Sequence, residues 1–483
     1  MNKKIVISLF FVIILLFVPT NNSADEIDDL LTNMMEVNHL PGLAALIVKD
    51  GEVIWQNNFG YADIEDEVPI TDSTIFMLGS ISKTFVGVSL LQIWEIGVFG
   101  LDDPINYYLE FPVTNPDFPD DPISFRMLYT HTSSIKGDFA ASGLNIPPVT
   151  WGYDHPMPMS EFLPEYFVPG GLYNDETTYN SVLPATDFDY SSVATTLIAY
   201  LVERFTGQEF EDYCQENIFE PLGMNDTSWF LANINQDNLA SHYNYENGQY
   251  VKYPPRGVVI YPCGWLKTDI HSLKNYMLAL MQGGIYNEQR ILNESTVDSM
   301  MTIQYPEVFC YFPNFEWGLM TYEFDMGNRI VWGHEGGSLG VTTMMYFCPE
   351  ENSGVILLSN GQEFTCMAQV APPLFDYALN YTDTPDELPE VNDDINLSVF
   401  PNPFNPETTI SFSISESEYV DVEIINMKGQ KIKKLLSDQL SSGQYSFEWN
   451  GKNEHRKSVS SGIYFCKLKV GEKEISKKIM LLK

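Results

Sequence analysis

The sequence predicts an α+β chain: an antiparallel sheet flanked by helices, with a helical lobe inserted in its middle, followed by a separate all-β sandwich. Three observations lead there. Alternating apolar segments stand near the start of the body ("GLAALIVKDGEVIWQNNFGYAD") and near its end ("RIVWGHEGGSLGVTTMMYFCPEENSGVILLSNG"), with helix-period segments between them, so the sheet is closed by its two ends. A Pro-rich, acidic stretch, "DTPDELPEVNDD" at 383–394, interrupts the pattern and reads as a linker. Beyond it come short alternating runs, "TTISFSI", "YVDVEII", "YSFEWNG", "GIYFCKLKV" and "KEISKKIMLL", separated by turn signals such as "MKGQ" and "SSGQ".

Taken in order, the chain opens with Lys3 and Lys4, an unbroken apolar run from Ile5 to Val18, and then small and polar residues. That run is short for a membrane span and has the make-up of a cleaved secretory signal, with Ala24 as its last residue. No Cys follows it, and no later stretch has the length and apolarity of a transmembrane anchor. The expected plan is a signal at 1–24, a body at 25–382, the linker at 383–394 and the tail at 395–483. With 483 residues and 44% apolar content, two folded units are affordable in core.

Within the body, Asp50-Gly51 marks a hairpin turn and Gly207 is placed to stop the helix "SVATTLIAYLVERFTGQ". The segment 138–180, rich in Pro and aromatics, is either a wall of a substrate cleft or a packed surface excursion. The six Cys stand singly, at 214, 263, 310, 348, 366 and 466, and read as buried free thiols. The seven His form no metal-ligand grouping, and no cofactor is implied. From Asn392 onward there are 13 Lys plus Arg against 12 acids, which leaves 13 against 53 in the preceding residues. Such an acidic body repels phosphate and excludes nucleic acid as a partner.

The chemistry begins at "FMLGSISKTFVG", residues 76–87. The residues after Ser82 have helical apolar spacing and few charges, which predicts a largely buried helix with Ser80 in its first turn. A helix start offers unpaired N–H groups and positive potential to an alkoxide-like oxygen. Lys83, three residues on, shares a face with Ser80, and a buried amine loses its proton more readily than one in water. The pair is a candidate activated nucleophile. Spacing alone is weak evidence, since Ser133 and Lys136 in "HTSSIK" repeat it.

Two further stretches supply partners. In "DFDYSSVATTL", Tyr190 and Ser192 precede an apolar helix; beside an ammonium, the phenol of Tyr190 becomes a candidate base and acid, and Ser192 a substrate contact. In "WGHEGGSLG", small residues allow close backbone approach. There the Gly337 N–H is expected to complete an oxyanion hole with the Ser80 N–H, with His334 pointing into the same cleft and Glu335 and Gly336 as further substrate contacts.

These motifs in this order, joined by "MLYTHTSS", "IFEPLGMNDTSW" and "CGWLKTDIHSL", resemble the serine β-lactamase and penicillin-binding-protein superfamily on its class C and D-alanyl-D-alanine-carboxypeptidase side, over about residues 30–380. The resemblance implies Ser80 as acylated nucleophile, Lys83 as proton-handling amine, Tyr190 as general base and acid, and His334 as leading residue of the third motif. It implies a hydrolase acting on a small-molecule ester, amide or peptide. Two departures stand out. The family's Tyr-x-Asn is Tyr190-Ser191-Ser192 here, and its Lys-Thr-Gly is His334-Glu335-Gly336. Replacing a permanent cation by a mostly neutral His disfavours the carboxylate of lactams and cell-wall peptides, and favours neutral esters or amides. The alternatives are a carboxypeptidase or lactamase, or a non-catalytic surface binding protein on the same fold.

The tail, with "FPNPFNPETTISFSI", "INMKGQKIKKL", "SGQYSFEWNG" and "SSGIYFCKLKVG", resembles the Ig-like type A C-terminal sorting domains of the type IX secretion route. The resemblance implies that this machinery is a partner and that the protein is secreted or held at the cell surface. An ordinary accessory domain that binds carbohydrate or protein is the alternative.

Overall fold

Asp50 and Gly51, both at positive φ (51° and 87°), turn the chain back on itself and pair β1 (Gly42–Lys49) with β2 (Glu52–Asp63). The computed structural model describes residues 24–381 except 138–144, 309, 311–313 and 364–365, and residues 395–481 except 401–403, 405–407, 415–416, 427–429, 442, 455–456, 461 and 472. The expected signal, save Ala24, and the expected linker lie outside the described residues, as does the start of the 138–180 segment. The chain divides into two compact units, Met1–Tyr381 and Thr382–Lys483.

In the first unit, β3 (Val68–Pro69) extends the hairpin, and five later strands join it: β4 (Phe315–Trp317), β5 (Tyr322–Asp325), β6 (Ile330–Ser338), β7 (Val341–Cys348) and β8 (Ser353–Ser359). They form one antiparallel sheet in the order β4-β5-β6-β7-β8-β1-β2-β3, so the first strand sits beside the last and the two ends of the body close the sheet. β1, β7 and β8 are buried nearly throughout, because both faces are covered.

One face carries α1 (Ala24–Asn38) and the last helix, Cys366–Asn380; Leu31, Met344, Leu357, Met367 and Phe375 pack together there. The other face carries α2 (Ser82–Glu95) and the helical lobe, including α3 (Ser192–Thr206), whose buried residues join Leu46, Met345 and Ile356 in the larger core. Gly207 at φ 72° ends α3 and donates to Glu203 O at 2.8 Å. In the described part of the 138–180 segment, Phe162, Leu163 and Tyr166 of a short helix (Met159–Phe167) belong to that core. The same segment also presents an exposed Trp151. All six Cys are free thiols, five of them buried.

The second unit holds two antiparallel sheets, one joining Ile395–Phe400, Thr408–Ile414 and Gly443–Trp449, the other Lys431–Leu440, Glu418–Asn426, Gly462–Val470 and Lys473–Leu481. Ile410, Val422, Trp449 and Leu468 lie in its own core.

Candidate active site

Phe76–Met77 pairs with Lys267–Thr268, and the chain then winds through a single 3-10 turn, Gly79–Ile81, into α2. Ser80 therefore sits just ahead of the α-helix, in a tighter turn than apolar periodicity alone predicts. Gly79 adopts φ 55°, and a Cβ there would come within 2.6 Å of the Gly337 amide nitrogen. A Cβ on Gly336 would collide with the Leu78 carbonyl and Thr343 Oγ1. The glycines of "HEGG" thus let β6 lie directly against the Ser80 turn, and Thr343 Oγ1 fastens the two by donating to Leu78 O at 2.6 Å. Ser82 Oγ, donating to Gly79 O at 2.7 Å and accepting from Leu266 N at 3.2 Å, fixes the turn from the other side.

Lys83 is 1% exposed, and its Nζ lies 3.2 Å from Ser80 Oγ and 2.7 Å from the Cys263 carbonyl oxygen. The same nitrogen stands 4.7 Å from the centroid of the Tyr190 ring. Two stretches more than a hundred residues apart therefore meet at one ammonium.

Tyr190 is held by its neighbours on both sides. Ser191 caps α3, its side chain accepting from Ala194 N at 3.2 Å, while its own backbone N donates to His131 Nδ1 at 3.2 Å. The His131 ring packs 4.4 Å from the Tyr190 ring, and Trp317 closes the cluster at 5.7 Å from Tyr190. Since Nδ1 of His131 accepts, its proton resides on Nε2. Burial, and then the charges of Lys83 and His334, push its pKa well down, so it stays neutral. Sequence reasoning assigned no role to His131 or Trp317; "MLYTHTSS" was the signal, but the ring partner lies far off in sequence. Ser192, buried, is the first residue of α3, immediately after this anchored loop.

On β6 the side chains alternate. His334 pairs across the strands with Met345 on the face of the Ser80 helix, and its Nε2 lies 3.5 Å from Tyr190 Oη. Its Nδ1 is 2.5 Å from the Glu335 carbonyl oxygen, which can only accept. Nδ1 thus bears the proton, and Nε2 turns a lone pair toward the phenol. Burial, reinforced by Lys83, pushes the His334 pKa down to about 3.

Glu335 is a correction. It pairs with Met344 on the opposite face, where its carboxyl is hydrogen-bonded with Tyr346, near Cys366, and burial raises its pKa to about 7. Period-two alternation carries its side chain away from Ser80, so it is no substrate contact. Gly336 touches the Ser80 turn itself, and Gly337 brings its amide beside that turn.

A serine, an amine, a phenol and a neutral imidazole are thus assembled at a seam between the sheet and the helical lobe. Residues 27–376 match the Beta-lactamase family, and residues 398–482 match the secretion system C-terminal sorting domain. The chain belongs to the Beta-lactamase family. Among this family member's relatives, Protein flp of Staphylococcus aureus (strain NCTC 8325 / PS 47) is 22% identical over 343 residues, 71% of this chain and 64% of that protein, so the chain spans under two thirds of its length. The bovine mitochondrial serine beta-lactamase-like protein LACTB is 25% identical over 415 residues, covering 68% of this chain and 72% of that one. Among solved structures, the octameric penicillin-binding protein homologue from Pyrococcus abyssi superposes with a TM-score of 0.61 at 20% identity, over 94% of this chain and all of that one. The D-amino acid amidase of Ochrobactrum anthropi SV3 gives 0.58 at 18%, over 73% and 98% of the two chains. EstCE1, a hydrolase with promiscuous acyltransferase activity, gives 0.58 at 19%, over 74% and 98%. These likenesses show the fold, a β-lactamase/transpeptidase-like antiparallel sheet with helices. The sorting domain indicates type IX secretion to the cell surface or outside, and among the described residues no helix is long and apolar enough to cross a membrane.

Proposed function

We propose that this Beta-lactamase family member is a secreted serine hydrolase that cleaves an ester or amide through an acyl-Ser80 intermediate. The observation that carries the reading is the joint approach of the Lys83 amine to Ser80 Oγ, at 3.2 Å, and to the face of Tyr190. Ser80 Oγ attacks the carbonyl carbon as its proton passes to Tyr190, with Lys83 holding the hydroxyl and favouring the phenolate. The carbonyl oxygen takes up the negative charge between the Ser80 and Gly337 amides. When the carbonyl reforms, the bond to the leaving group breaks and Tyr190 returns the proton to it. Water, deprotonated by the same phenolate, then attacks the acyl-enzyme, and the acid leaves as Ser80 regains its hydrogen.

The leaving group departs past Tyr190 and His334. His334 is neutral there, where the resembling families carry a lysine, so that side of the cleft holds no added cation to attract a carboxylate. The reading favours esters or amides uncharged on the leaving-group side over lactams and cell-wall peptides. A fluorophosphonate probe tests it: wild-type protein is labelled at Ser80 and Ser80→Ala is not. Equal labelling of the two leaves the fold as a binding scaffold, and comparable rates on a cephalosporin and on a simple ester overturn the substrate preference.

A further inference from the structure

Arg256 has a setting that the proposed chemistry does not use. In a chain with 65 acidic and 26 basic residues, three of the five described arginines find a carboxylate: Arg126 meets Asp102, Arg204 meets Glu110, and Arg329 meets Glu351 and Asp376, while Arg290 is held by the Gly283 and Leu292 carbonyls. Among the described residues, no carboxylate pairs with Arg256. Its guanidinium lies against two indoles, 5.9 Å from the centroid of Trp151 and 5.8 Å from that of Trp265. Trp151 is directly opposite it across a two-residue ladder, which fixes the stack from the backbone. Nη2 donates to Ser338 Oγ at 2.6 Å, while among the described residues the other guanidinium N–H groups have no partner. The indole Nε1 of Trp265, a buried donor, is also without one among the described residues. A half-buried planar cation flanked by aromatics, with N–H groups to spare, makes a receptor lacking its acceptor.

Its position along β6 says which part of a substrate it faces. Ser338 follows Gly337, the expected oxyanion donor, whereas His334 and Tyr190 stand at the other end of the same strand stretch, roughly 13 Å away at about 3.3 Å per residue. The leaving group takes its proton from Tyr190 and so lies toward His334. The acyl portion trails the other way, toward Ser338.

We propose that Arg256, flanked by Trp151 and Trp265, binds a carboxylate on the acyl side of the substrate, so that the natural substrate is a dicarboxylic half-ester or half-amide. The assignment of sides rests on the acyl-Ser80 reading; the binding of the anion does not. Full-length protein is assayed with two p-nitrophenyl esters that share a leaving group, the glutarate half-ester and the butyrate. The ratio of their kcat/KM values falls ~10- to 100-fold in Arg256→Gln, as for loss of a charge-assisted hydrogen-bond pair, and recovers in part in Arg256→Lys. An unchanged ratio, with both esters slowed alike, shows a packing role and overturns the proposal. Calorimetric titration of glutarate into Ser80→Ala and into Ser80→Ala/Arg256→Gln separates the two readings. Binding that depends on Arg256 supports the subsite even if Ser80 proves unreactive; binding indifferent to Arg256, or none, overturns it even if Ser80 is acylated.

Discussion

Replacing Lys83 by Met separates what the buried amine does for chemistry from what it does for the fold. Met keeps the unbranched stem and fills the same volume, but removes the charge and the donor. The Cys263 carbonyl loses a 2.7 Å hydrogen bond, which costs about 1–3 kcal/mol for a buried acceptor left unpaired. Against this, an ammonium that is 1% exposed no longer has to be taken out of water, a relief of several kcal/mol, less the ~0.5–2 kcal/mol of attraction to the Tyr190 face. The terms nearly cancel, so stability by chemical denaturation stays within about 2 kcal/mol of wild type. Reactivity does not: without Lys83 the Ser80 hydroxyl loses the amine that holds it and the Tyr190 phenolate loses the charge that favours it, and labelling by a fluorophosphonate slows ~10²- to 10⁴-fold. The imidazole of His334 reports the same change. Lys83 is the second cause of its depressed pKa, after burial, so in Lys83→Met that pKa moves up from about 3 while remaining below 6.5 by nitrogen NMR. A folded Lys83→Met protein labelled at the wild-type rate refutes the assignment of Lys83 to proton handling.

His334 also imposes a pH dependence on stability. Its folded pKa of about 3 lies below the unfolded 6.5, so the unfolded chain binds a proton first, and stability is lost as pH falls from 6.5 toward 3. At pH 5 this amounts to about 2 kcal/mol, so His334→Asn, compared by denaturant titration at pH 7.5 and 5, loses about 2 kcal/mol less than wild type over that interval; parallel curves rule the account out. In Gly336→Ala the new methyl meets the Leu78 carbonyl and Thr343 Oγ1, so unfolding becomes easier by about 1–3 kcal/mol and Ser80 labelling slows at least ~10-fold as β6 backs away from the Ser80 turn; unaltered labelling contradicts the close approach. Arg329→Ala leaves Glu351 and Asp376 without their shared guanidinium, and, with Asp376 reaching solvent, costs about 2–3 kcal/mol by thermal melt while Ser80 labelling at 25 °C persists; a change below about 0.5 kcal/mol makes this ion pair incidental.

Much of this arrangement is visible in local sequence because local rules decide it. Asp50-Gly51 demands positive φ, Gly207 ends a helix, and Ser80 and Lys83 flank the start of an apolar helix, each a choice made within a few residues. The second S-x-x-K shows the limit of the rule. Ser133 to Lys136 runs through a non-helical loop, where Lys136 N bonds to Thr178 O, so a spacing of three does not bring the side chains to one face. What stayed hidden is either distant or carried by the backbone. The Lys83 partner at residue 263 is a carbonyl, identical for every residue type, and the His131–Tyr190–Trp317 cluster is closed across the chain. Glu335 was readable but misread: once His334 faces Ser80, strand alternation sends the next side chain to the other face.

That alternation bears on what the cleft accepts. On the proposed reading, one residue on β6 sets the charge met by a leaving group, and it is an imidazole held neutral by burial and by the charge of Lys83. The carboxylate that follows it in sequence cannot compensate or compete, because it lies across the sheet, hydrogen-bonded with Tyr346. Exchanging His334 for Lys would restore a cation but place it near Lys83, against the face already crowded by Tyr190, Tyr322 and Trp317. Like-charge repulsion would then push one amine toward its neutral form. His334→Lys therefore does not simply convert the site to anionic leaving groups: kcat/KM for a neutral ester falls, and any gain on a cephalosporin changes with pH, because the two amines compete for one proton. Equal gains at pH 6 and pH 9 would show that the two positions do not interact, and that neutrality at 334 is not what sets the preference.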